Sequence, residues 1–488
     1  MKARGFVAGA SAAALTACTV GPDYQRPNTP LPASFAEPHS AQPVTSEQLA
    51  IWWQRFGDPE LDKLVNRALK QNLDVEAAAA RILEARARER AAGSVGSPEV
   101  DATGSVTRQR ISEHAIPVPP GGGTGGDATG GFGLPGAVFT TWRVGFDASW
   151  ELDLFGRTRR SVEAASARTG AAIWDRRDLQ VSAAAEVANA YLMLRTLQQR
   201  ITLAEAEVQR QQRFEHLVDA RVRGGLVTGQ DLEQQRAELA SASAAIPPLK
   251  AQTDAQIHAI GVLTGDTPEG LIAELTPAAP LPAALPAVPA GLPSDLLRRR
   301  PDIRAAERNV AAATADIGVA TADLYPRFSL TAAPALVSTG LATLLEWGSR
   351  SFNAGPSVSW PIFNGGRTRA NIDVTKAQQG QALISYRKTV LTALRDVEDA
   401  LSGVEADRRE LAHLERSLSN AARAEDIART RYRGGLVTFS DVLQAQAKRI
   451  SLETQVIEAK GSLARRTVAL FKALGGGWPE VATAGAQP

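Results

Sequence analysis

The chain has 488 residues, of which 44% are apolar and 22% are charged, a composition typical of a folded protein and not of a disordered one. Lysine and arginine exceed aspartate and glutamate by only 54 − 52 = 2, so no strong charge points to a nucleic-acid partner. Beyond the N-terminus there is no continuous apolar stretch of about 18 residues, and the sequence therefore predicts no membrane-spanning helix.

The N-terminal segment 1–17 has the layout of a secretory signal peptide. Lys2 and Arg4 form a short basic start, and the stretch 5–17 that follows is small and apolar. The residues LTAC at 15–18 match the bacterial lipobox, in which small residues precede a cysteine that receives lipid. The alternative is an ordinary signal peptide followed by a chance cysteine. We expect cleavage before Cys18, the only cysteine, and covalent N-acyl and S-diacylglycerol lipid (palmitate or a similar chain) on it.

The chain contains an internal repeat. The segments RVRGGLVTGQD at 221–231 and RYRGGLVTFSD at 431–441 are nearly the same and lie 431 − 221 = 210 positions apart. A second offset holds upstream, where Asp74 pairs with Asp302 at 302 − 74 = 228. The difference between the offsets, 228 − 210 = 18, indicates an insertion in the first copy, and the glycine-rich segment 121–136 is the natural place for it. The sequence therefore predicts two tandem copies of one unit.

Each copy is predicted to contain the same elements in the same order. An amphipathic helix (about 59–97 and 294–324) leads into two strands, a very long helix (about 157–222 and 367–432), the RGGLVT turn, and a return helix (about 229–264 and 439–474). The predicted segments are a signal peptide at 1–17, an extended N-terminal segment at 18–58, repeat 1 at 59–264 with its strand hairpin at 100–152, a Pro/Ala-rich linker at 265–293, repeat 2 at 294–474 with its strand hairpin at 327–362, and a C-terminal tail at 475–488.

The two long helices have the pattern of a coiled coil. The first would run from Arg157 to Val222, which corresponds to roughly 100 Å of α-helix. Apolar residues recur at spacings of three and four, which is the heptad seam, although Asp407 interrupts the second seam. The seam residues are Val187, Ala190, Leu194, Leu197, Ile201, Ala204 and Val208 in the first helix, and Val397, Ala400, Val404, Leu411, Leu414, Leu418 and Ala421 in the second.

The repeated turn predicts a tight helix hairpin. The glycine pairs at 224–225 and 434–435 supply the positive φ that ends a helix. A threonine and an aspartate three residues apart then predict a capping box at the start of each return helix, formed by Thr228 with Asp231 and by Thr438 with Asp441. Pro247 and Pro248 lie within the first return helix and should bend it.

The strand segments have a membrane-type pattern. Residues 142–152 alternate strictly between apolar and polar side chains, and residues 352–362 do so in part. Weaker alternation marks 100–108 and 327–333. Strands of about ten residues with one apolar face fit an outer-membrane barrel, whereas the alternative is a half-buried sheet in a soluble domain. Four strands cannot close a membrane barrel, so several chains would have to pool their strands. Pro356 and Pro361 require edge-like or bulged positions.

The lipobox, the doubled helix hairpin and the two strand hairpins together resemble the TolC/OprM-type outer-membrane efflux proteins, and the match is close to their lipoprotein branch. The resemblance covers nearly the whole mature chain. Its most specific segments are the two RGGLVT turns, CTVGPDYQRP at 18–27, SWELDLFGRTRRSVEAA at 149–165 and GLPSDLLRRRPDIRAAE at 291–307.

This resemblance implies an α+β membrane protein that forms a homotrimer. Four strands from each chain would close a barrel of about 12 strands, continued by a long periplasmic α-helical barrel of coiled-coil helices with an equatorial collar. It implies a passive outer-membrane exit duct of a tripartite efflux system that exports drugs or small toxic molecules, with a periplasmic adaptor and an inner-membrane RND-type pump as partners. Thr19, which is not an aspartate, favours outer-membrane sorting by likeness to other bacterial lipoproteins. No catalysis and no nucleic-acid partner are implied.

Two other functions stay open from the sequence. A duct for protein secretion shares the same fold, and a structural envelope lipoprotein could use its helices only to bridge the periplasm. The lipid-anchored branch argues against the first alternative, and the membrane-type strand hairpins argue against the second.

The family also suggests gate residues. A tyrosine before the second turn and an aspartate after it belong to the closed periplasmic aperture, and these positions match Tyr432 and Asp441. The first copy has Val222 and Asp231 there, so the resemblance implies an asymmetric latch. A second family aspartate falls on Gln444, so a double acidic ring is not expected. Each aspartate has two interpretations: helix capping alone, or capping together with a pore-lining role that selects cations.

The tips of the helix hairpins are the predicted adaptor contacts. Their apolar residues, in an otherwise polar stretch, indicate a contact surface in addition to a chain reversal. The predicted contact residues are Arg223, Gly224, Gly225, Leu226, Val227 and Thr228 in the first copy, and Arg433, Gly434, Gly435, Leu436, Val437 and Thr438 in the second.

Three other features predict no separate activity. The arginine run at 298–300 precedes a Pro-Asp helix start and suggests structural ion pairs. The glycine-rich segment 121–136 lacks the lysine of a phosphate-binding loop and is expected to be an extracellular loop. The five histidines show no metal-ligand spacing, so we expect no metal and no cofactor apart from the lipid on Cys18.

Overall fold

The structure is a computed structural model, and it describes residues 19–36, 49–112, 138–282, 285–286 and 293–478. The predicted signal peptide, Cys18 and the glycine-rich segment 121–136 lie outside the described residues. The chain divides into two compact units. The first contains the described residues within 1–25, 86–167 and 311–381, and the second contains those within 26–85, 168–310 and 382–488.

The described helices are, in chain order, α1 (Pro59–Gln71), α2 (Leu73–Ser94), α3 (Arg157–Arg223), α4 (Gly229–Ala244), α5 (Ile246–Leu263), α6 (Ile272–Leu275), α7 (Pro293–Arg299), α8 (Pro301–Ala322), α9 (Arg367–Arg433) and α10 (Phe439–Ala473). The described strands are β1 (Glu99–Arg110), β2 (Val138–Leu152), β3 (Arg327–Ala332), β4 (Ala335–Ser338), β5 (Arg350–Ser351) and β6 (Ala354–Ser359). Short 3₁₀ helices cover Trp52–Phe56 and Trp347–Ser349.

The prediction of one continuous amphipathic helix at the start of each repeat is wrong, because each is broken into two. In repeat 1 the break is at Asn72, whose side-chain oxygen accepts hydrogen bonds from the backbone N–H groups of Asp74 (3.0 Å) and Val75 (3.2 Å). This side chain caps α2 and competes with the continuation of α1. In repeat 2 the break precedes Pro301, which disfavours the helical conformation of the residue before it.

The two long helices are confirmed, and the first return helix is interrupted close to its two prolines. Helices α3 and α9 each contain 67 residues and end within one residue of the predicted positions. The first return helix is divided into α4 and α5 at Ala245, two residues before Pro247. The second return helix lacks such a pair, and α10 runs unbroken for 35 residues.

One antiparallel sheet lies in the first unit. Strand β2 pairs with β1 on one side and with both β3 and β4 on the other, while β3 pairs with β6 and β4 pairs with β5. Since β3 and β4 are separated only by Ala333 and Pro334, they form one interrupted strand, and β5 and β6 form another. The sheet therefore has the four strand positions that the sequence predicts.

The last strand position differs in detail from the prediction. It is interrupted at Phe352 and Asn353 and ends at Ser359, so Trp360 and Pro361 follow it and do not belong to it. Pro356 lies in β6, which pairs only with β3 within the described sheet. That is the edge position that a proline requires.

The two faces of the sheet differ in chemistry, as the alternation predicts. On one face Val100, Phe146 and Val358 are 62%, 56% and 60% exposed. On the opposite face the Thr103 hydroxyl donates to the Asp147 carboxylate at 2.7 Å, and the hydroxyls of Ser329 and Ser357 are 2.8 Å apart. A half-buried sheet in a soluble domain would have its apolar face covered by another layer, and these apolar side chains are not covered.

Matching contacts in the two copies confirm the repeat. The indole N–H of Trp150 donates to the Gly96 carbonyl at 2.9 Å, and the indole N–H of Trp360 donates to the Leu324 carbonyl at 3.0 Å. The two tryptophans are 360 − 150 = 210 positions apart and the two carbonyls are 324 − 96 = 228 positions apart. Both offsets found in the sequence therefore correspond to one repeated structure.

The main core of the second unit joins the N-terminal segment to both repeats. Trp52 is fully buried and stacks on Phe471, with ring centroids 5.2 Å apart. The Tyr191 hydroxyl donates to the Asp58 carboxylate at 2.6 Å, and burial raises the pKa of this tyrosine. The core also contains seam residues such as Val187 and Leu194, which are fully buried. Over the part of the chain that the structure describes, no helix combines the length and the apolar character needed to cross a membrane.

Candidate functional site at the helix hairpin tips

Each long helix ends in the same chain reversal. In the first copy the N–H of Leu226 donates to the Arg221 carbonyl at 2.9 Å, and the N–H of Gly225 donates to the Val222 carbonyl at 2.9 Å. This is the Schellman pattern that terminates an α-helix. Gly225 and Gly435 have φ of 69° and 72°, which favours glycine. The positive φ predicted for each glycine pair is thus supplied by the second glycine of the pair.

Both predicted capping boxes are present. The backbone N–H of Thr228 donates to the Asp231 carboxylate at 3.0 Å, and the equivalent bond from Thr438 to Asp441 is 2.8 Å. Since these hydrogen bonds stabilise the ionised carboxylate, those from Thr438 hold the pKa of Asp441 below its ordinary value. Capping is therefore an observed role of both aspartates.

The apolar residues of the tips fall into two kinds. Leu226 and Leu436 are 75% and 76% exposed. Val227 and Val437 instead pack against a small apolar cluster behind the turns. Among the apolar tip residues, therefore, only Leu226 and Leu436 are largely exposed and available to contact another molecule.

Tyr432 lies inside that cluster, beside Val218 and Phe439, and is only 8% exposed. Its ring centroid is 5.8 Å from that of Phe439, and the Arg221 guanidinium lies 4.8 Å from the Tyr432 centroid. Among the described residues, its hydroxyl has no hydrogen-bond partner and Asp441 bonds only to Thr438. Within one chain, therefore, the structure places the two predicted gate residues near the same turn without a direct bond between them.

The structure contains a buried polar network between the hairpins that the sequence did not predict. The Glu207 carboxylate accepts hydrogen bonds from the side-chain amides of Gln211 and Gln446, both at 2.7 Å. Arg449 joins Glu207 to Glu425, which are 4% and 5% exposed. The sequence does contain a signal for this network: Gln211 occupies the next seam position, three residues after Val208, where the heptad pattern predicts an apolar residue.

The sequence profile described as "Outer membrane efflux protein" matches residues 64–266 and 292–476, which correspond to the two repeats. The chain belongs to the outer membrane efflux protein family. It is 32% identical over 427 residues to the pyoverdine export outer membrane protein OpmQ of Pseudomonas aeruginosa, covering 88% of this chain and 87% of that one. It is 32% identical to the probable efflux pump outer membrane protein TtgC of Pseudomonas putida, covering 96% and 94%. The structure resembles that of the outer-membrane channel OprN, with a TM-score of 0.84, 35% identity and coverage of 94% and 100%.

Family membership establishes the location and the general role. The chain is an outer-membrane component through which molecules leave the cell, and its long helices extend into the periplasm. The α+β channel fold expected from the sequence is confirmed by the likeness to OprN and to CusC, for which the TM-score is 0.81 at 27% identity. OpmQ and TtgC are named as export and efflux pump components, and OprN as an outer-membrane channel. In the described parts of the chain, no group of three or more His, Cys, Asp or Glu side chains could hold a metal ion.

A second charged cluster lies away from the tips in the second unit and confirms the ion-pair prediction for Arg300. The Arg300 guanidinium binds both carboxylate oxygens of Asp302, at 3.0 and 2.7 Å, and lies 3.4 Å from Asp396. It also donates to the Ala473 carbonyl at the end of α10, at 3.0 Å. Arg300 and its partners line a cavity of about 380 Å³. Asp178 on α3 also lines this cavity, and burial raises the pKa of Asp178 to about 6.

Proposed function

We propose that three copies of the chain form one outer-membrane duct that is closed at the hairpin tips at rest and is opened by a periplasmic adaptor. The observation that carries this proposal is the sheet with its uncovered apolar face and its polar opposite face. Burial in lipid would remove the apolar face from water. Pairing of the outer strands with those of neighbouring chains would satisfy their free backbone groups and close a barrel of about 12 strands.

The proposed gate consists of the paired hairpins. The exposed Leu226 and Leu436 are apolar contacts for an adaptor, and the adjoining cluster around Tyr432 would transmit a change in hairpin packing. An adaptor that binds the open conformer more tightly than the closed one shifts the population towards the open conformer. The duct itself does no chemistry, and an RND-type inner-membrane pump supplies the energy.

The proposed cargo is drugs and other small toxic molecules. This rests on the named roles of relatives, which include an antibiotic efflux pump protein and a solvent efflux pump protein of Pseudomonas putida. The test is the accumulation of a panel of dyes and antibiotics in a deletion strain, its parent and the complemented strain. Higher accumulation that the intact gene reverses supports efflux. No difference across the panel would favour another cargo, with the secretion duct as the next candidate.

Conductance in a planar bilayer tests the duct separately from its cargo. A trimer that spans the membrane should give discrete channel openings when the purified protein is added. A structural envelope lipoprotein would give none, and that result would contradict the duct.

The substitution Asp441→Ala is expected to raise the resting conductance of such channels, because it removes both the capping acceptor and the negative charge at the proposed constriction. Asp441→Asn separates the two effects, since the amide oxygen can still accept from Thr438 without the charge. Asp231→Ala tests whether the equivalent aspartate of the first copy, the other predicted gate carboxylate, contributes to the same constriction. Unchanged conductance in both Asp441 variants would assign this residue to capping alone.

The substitution Cys18→Ser is expected to abolish lipidation while trimers still form, because the proposed barrel closure uses strands and not the acyl chain. Mass spectrometry of the mature N-terminus measures the lipid, and unheated gel electrophoresis measures the trimer. Loss of trimers in protein that still reaches the outer membrane would show that the anchor takes part in assembly.

A further inference from the structure

A strongly basic cavity of about 330 Å³ lies between α3 and α9 near their tip ends. The described residues that line it include no carboxylate, and five of them are arginines: Arg210, Arg213, Arg221, Arg429 and Arg433. The remaining lining residues are Phe214, Leu217 and Tyr432. We propose that this cavity is a binding site for a small aromatic carboxylate, with the arginines holding the anion and the rings holding its apolar body.

The positive charge of the cavity is only partly neutralised. Arg210 pairs with Glu207 at 2.8 Å and Arg429 pairs with Glu425 at 3.0 Å, but both glutamates are also bound by Arg449.

The other three arginines, Arg213, Arg221 and Arg433, make no ion pair with a carboxylate among the described residues. Charges of one sign around a cleft with apolar walls focus their field into it. An anion in this cavity would relieve the mutual repulsion of the three guanidinium groups.

The walls of the cavity fit a flat apolar body. The Phe214 ring is held in place by stacking on Phe439, with centroids 5.4 Å apart. The Arg221 guanidinium already lies over the Tyr432 ring, at 4.8 Å from its centroid, and Leu217 is 44% exposed beside it. Guanidinium groups bind carboxylates through paired hydrogen bonds and stack on aromatic faces, so the cavity offers partners to both parts of the ligand.

The size of the cavity favours a small molecule over an acidic segment of a partner protein. Small-molecule sites have volumes of about 300 to 1,000 Å³, and this cavity is at the lower end of that range. An acidic side chain from a partner would satisfy the arginines but would leave the aromatic wall without an apolar occupant.

Comparison of the two repeats argues against a purely structural role. At the repeat offset of 210 positions, Arg210 and Phe214 correspond to Asn420 and Ala424. At the same offset Arg429 corresponds to Asp219, which has the opposite charge. Arg213, Arg221 and Arg433 do correspond to arginines, at Arg423, Arg431 and Arg223, so these three charges alone do not distinguish the two copies. If the hairpins needed Arg210, Phe214 and Arg429 in order to fold, both copies would be expected to have them. The combination of five arginines with the Phe214 and Tyr432 rings is therefore found at this junction and is not repeated by the equivalent positions of the other copy.

Calorimetric titration of the purified full chain with 2-naphthoate tests the proposal. We expect saturable binding that weakens as sodium chloride rises from about 50 to about 500 mM, since ions screen the attraction. The matched cation 2-naphthylmethylammonium and the neutral 2-naphthalenemethanol should bind at least about tenfold more weakly. Equal binding of all three probes would overturn the proposal, since it would show an apolar site without charge selection.

The double variant Arg213→Gln/Arg433→Gln should weaken 2-naphthoate binding by about tenfold or more. The control Arg423→Gln/Arg223→Gln changes the repeat-equivalent arginines, which do not line the cavity, and should bind like the parent. Thermal unfolding of both variants checks that each is folded, and each single substitution serves if the double variant is not.

Undiminished binding in a folded cavity variant would overturn the proposal. So would tight binding of a glutamate-rich peptide that 2-naphthoate cannot displace, which would assign the arginines to a protein partner. Because binding is measured on the purified chain, the result does not depend on whether the duct exports any cargo.

Discussion

Replacing Arg300 by alanine is expected to lower the free energy of unfolding by about 2 to 4 kcal/mol. The side chain is only 12% exposed, and it contacts Asp302, Asp396 and the Ala473 carbonyl. Its removal would leave two carboxylates and a helix-terminal carbonyl without their charged partner. The two carboxylates keep 27% and 32% exposure, so water would compensate in part, and the effect is smaller than for a fully buried pair.

Thermal or urea unfolding of the purified protein measures this effect. Arg298→Ala is the matched control, because this arginine is exposed near the end of α7, two residues before Arg300, and should change the free energy by less than about 0.5 kcal/mol. Arg300→Met keeps much of the apolar stem and removes the charge, so it should be nearly as destabilising as Arg300→Ala if ion pairing is the cause. A methionine variant as stable as the parent would assign the role of Arg300 to packing.

The elements that the sequence predicts well are those with local signals. The helix ends and starts at the RGGLVT turns were predicted correctly, because a glycine at positive φ and a Thr–Asp capping box act within a few residues of one another. The strand alternation also identified the correct faces of the sheet, because a period of two needs no knowledge of the partner strand.

Pro301 is a local signal for the break in repeat 2, but the break in repeat 1 could not be predicted in the same way. Asn72 and Arg300 are related by the upstream repeat offset, 300 − 72 = 228, and are therefore equivalent positions. The Asn72 side chain donates to the Leu263 carbonyl at 2.9 Å, and Arg300 donates to the Ala473 carbonyl at 3.0 Å. The two acceptors are related by the other offset, 473 − 263 = 210. The Asn72 amide in one copy and the Arg300 guanidinium in the other thus make equivalent hydrogen bonds to the end of the return helix. Donor and acceptor are far apart in the sequence, and only folding brings them together.

The candidate site was predicted in part for the same reason. Leu226 and Leu436 could be identified because their apolar character contrasts with their immediate neighbours. The arginine cavity depends on the alignment of α3 with α9, which brings together Arg213 and Arg433 from distant parts of the sequence. In the sequence each arginine is one more charge on a solvated helix, and no local pattern distinguishes it.

Asp178→Asn is expected to stabilise the protein at neutral pH and to have almost no effect at low pH. Burial raises the folded-state pKa of Asp178 from 3.8 to about 6, with nearby Asp302 adding to the shift and Arg300 opposing it. The folded chain therefore binds this proton more tightly than the unfolded chain does, so the contribution of Asp178 to stability is present below about pH 4 and is lost as pH rises through 6. At about pH 7.5 the variant should be more stable by up to about 3 kcal/mol, and the difference should fall below about 1 kcal/mol near pH 4.

Unfolding of the parent and the variant at several pH values measures that difference. The contributions of most other titrating groups to the free energy of unfolding are the same in both proteins and cancel. A stabilisation that does not depend on pH would mean that the amide improves local contacts and that the charge is not the cause. The two substitutions are also coupled, because Arg300 lowers the cost of ionising Asp178. In an Arg300→Met background, Asp178→Asn should therefore stabilise more than it does in the parent, and a double-mutant cycle gives the interaction energy. If the stability effects of the two substitutions simply add, the Asp178 carboxylate is stabilised by Lys472 and water. The charged cluster then consists of Arg300, Asp302 and Asp396 without Asp178.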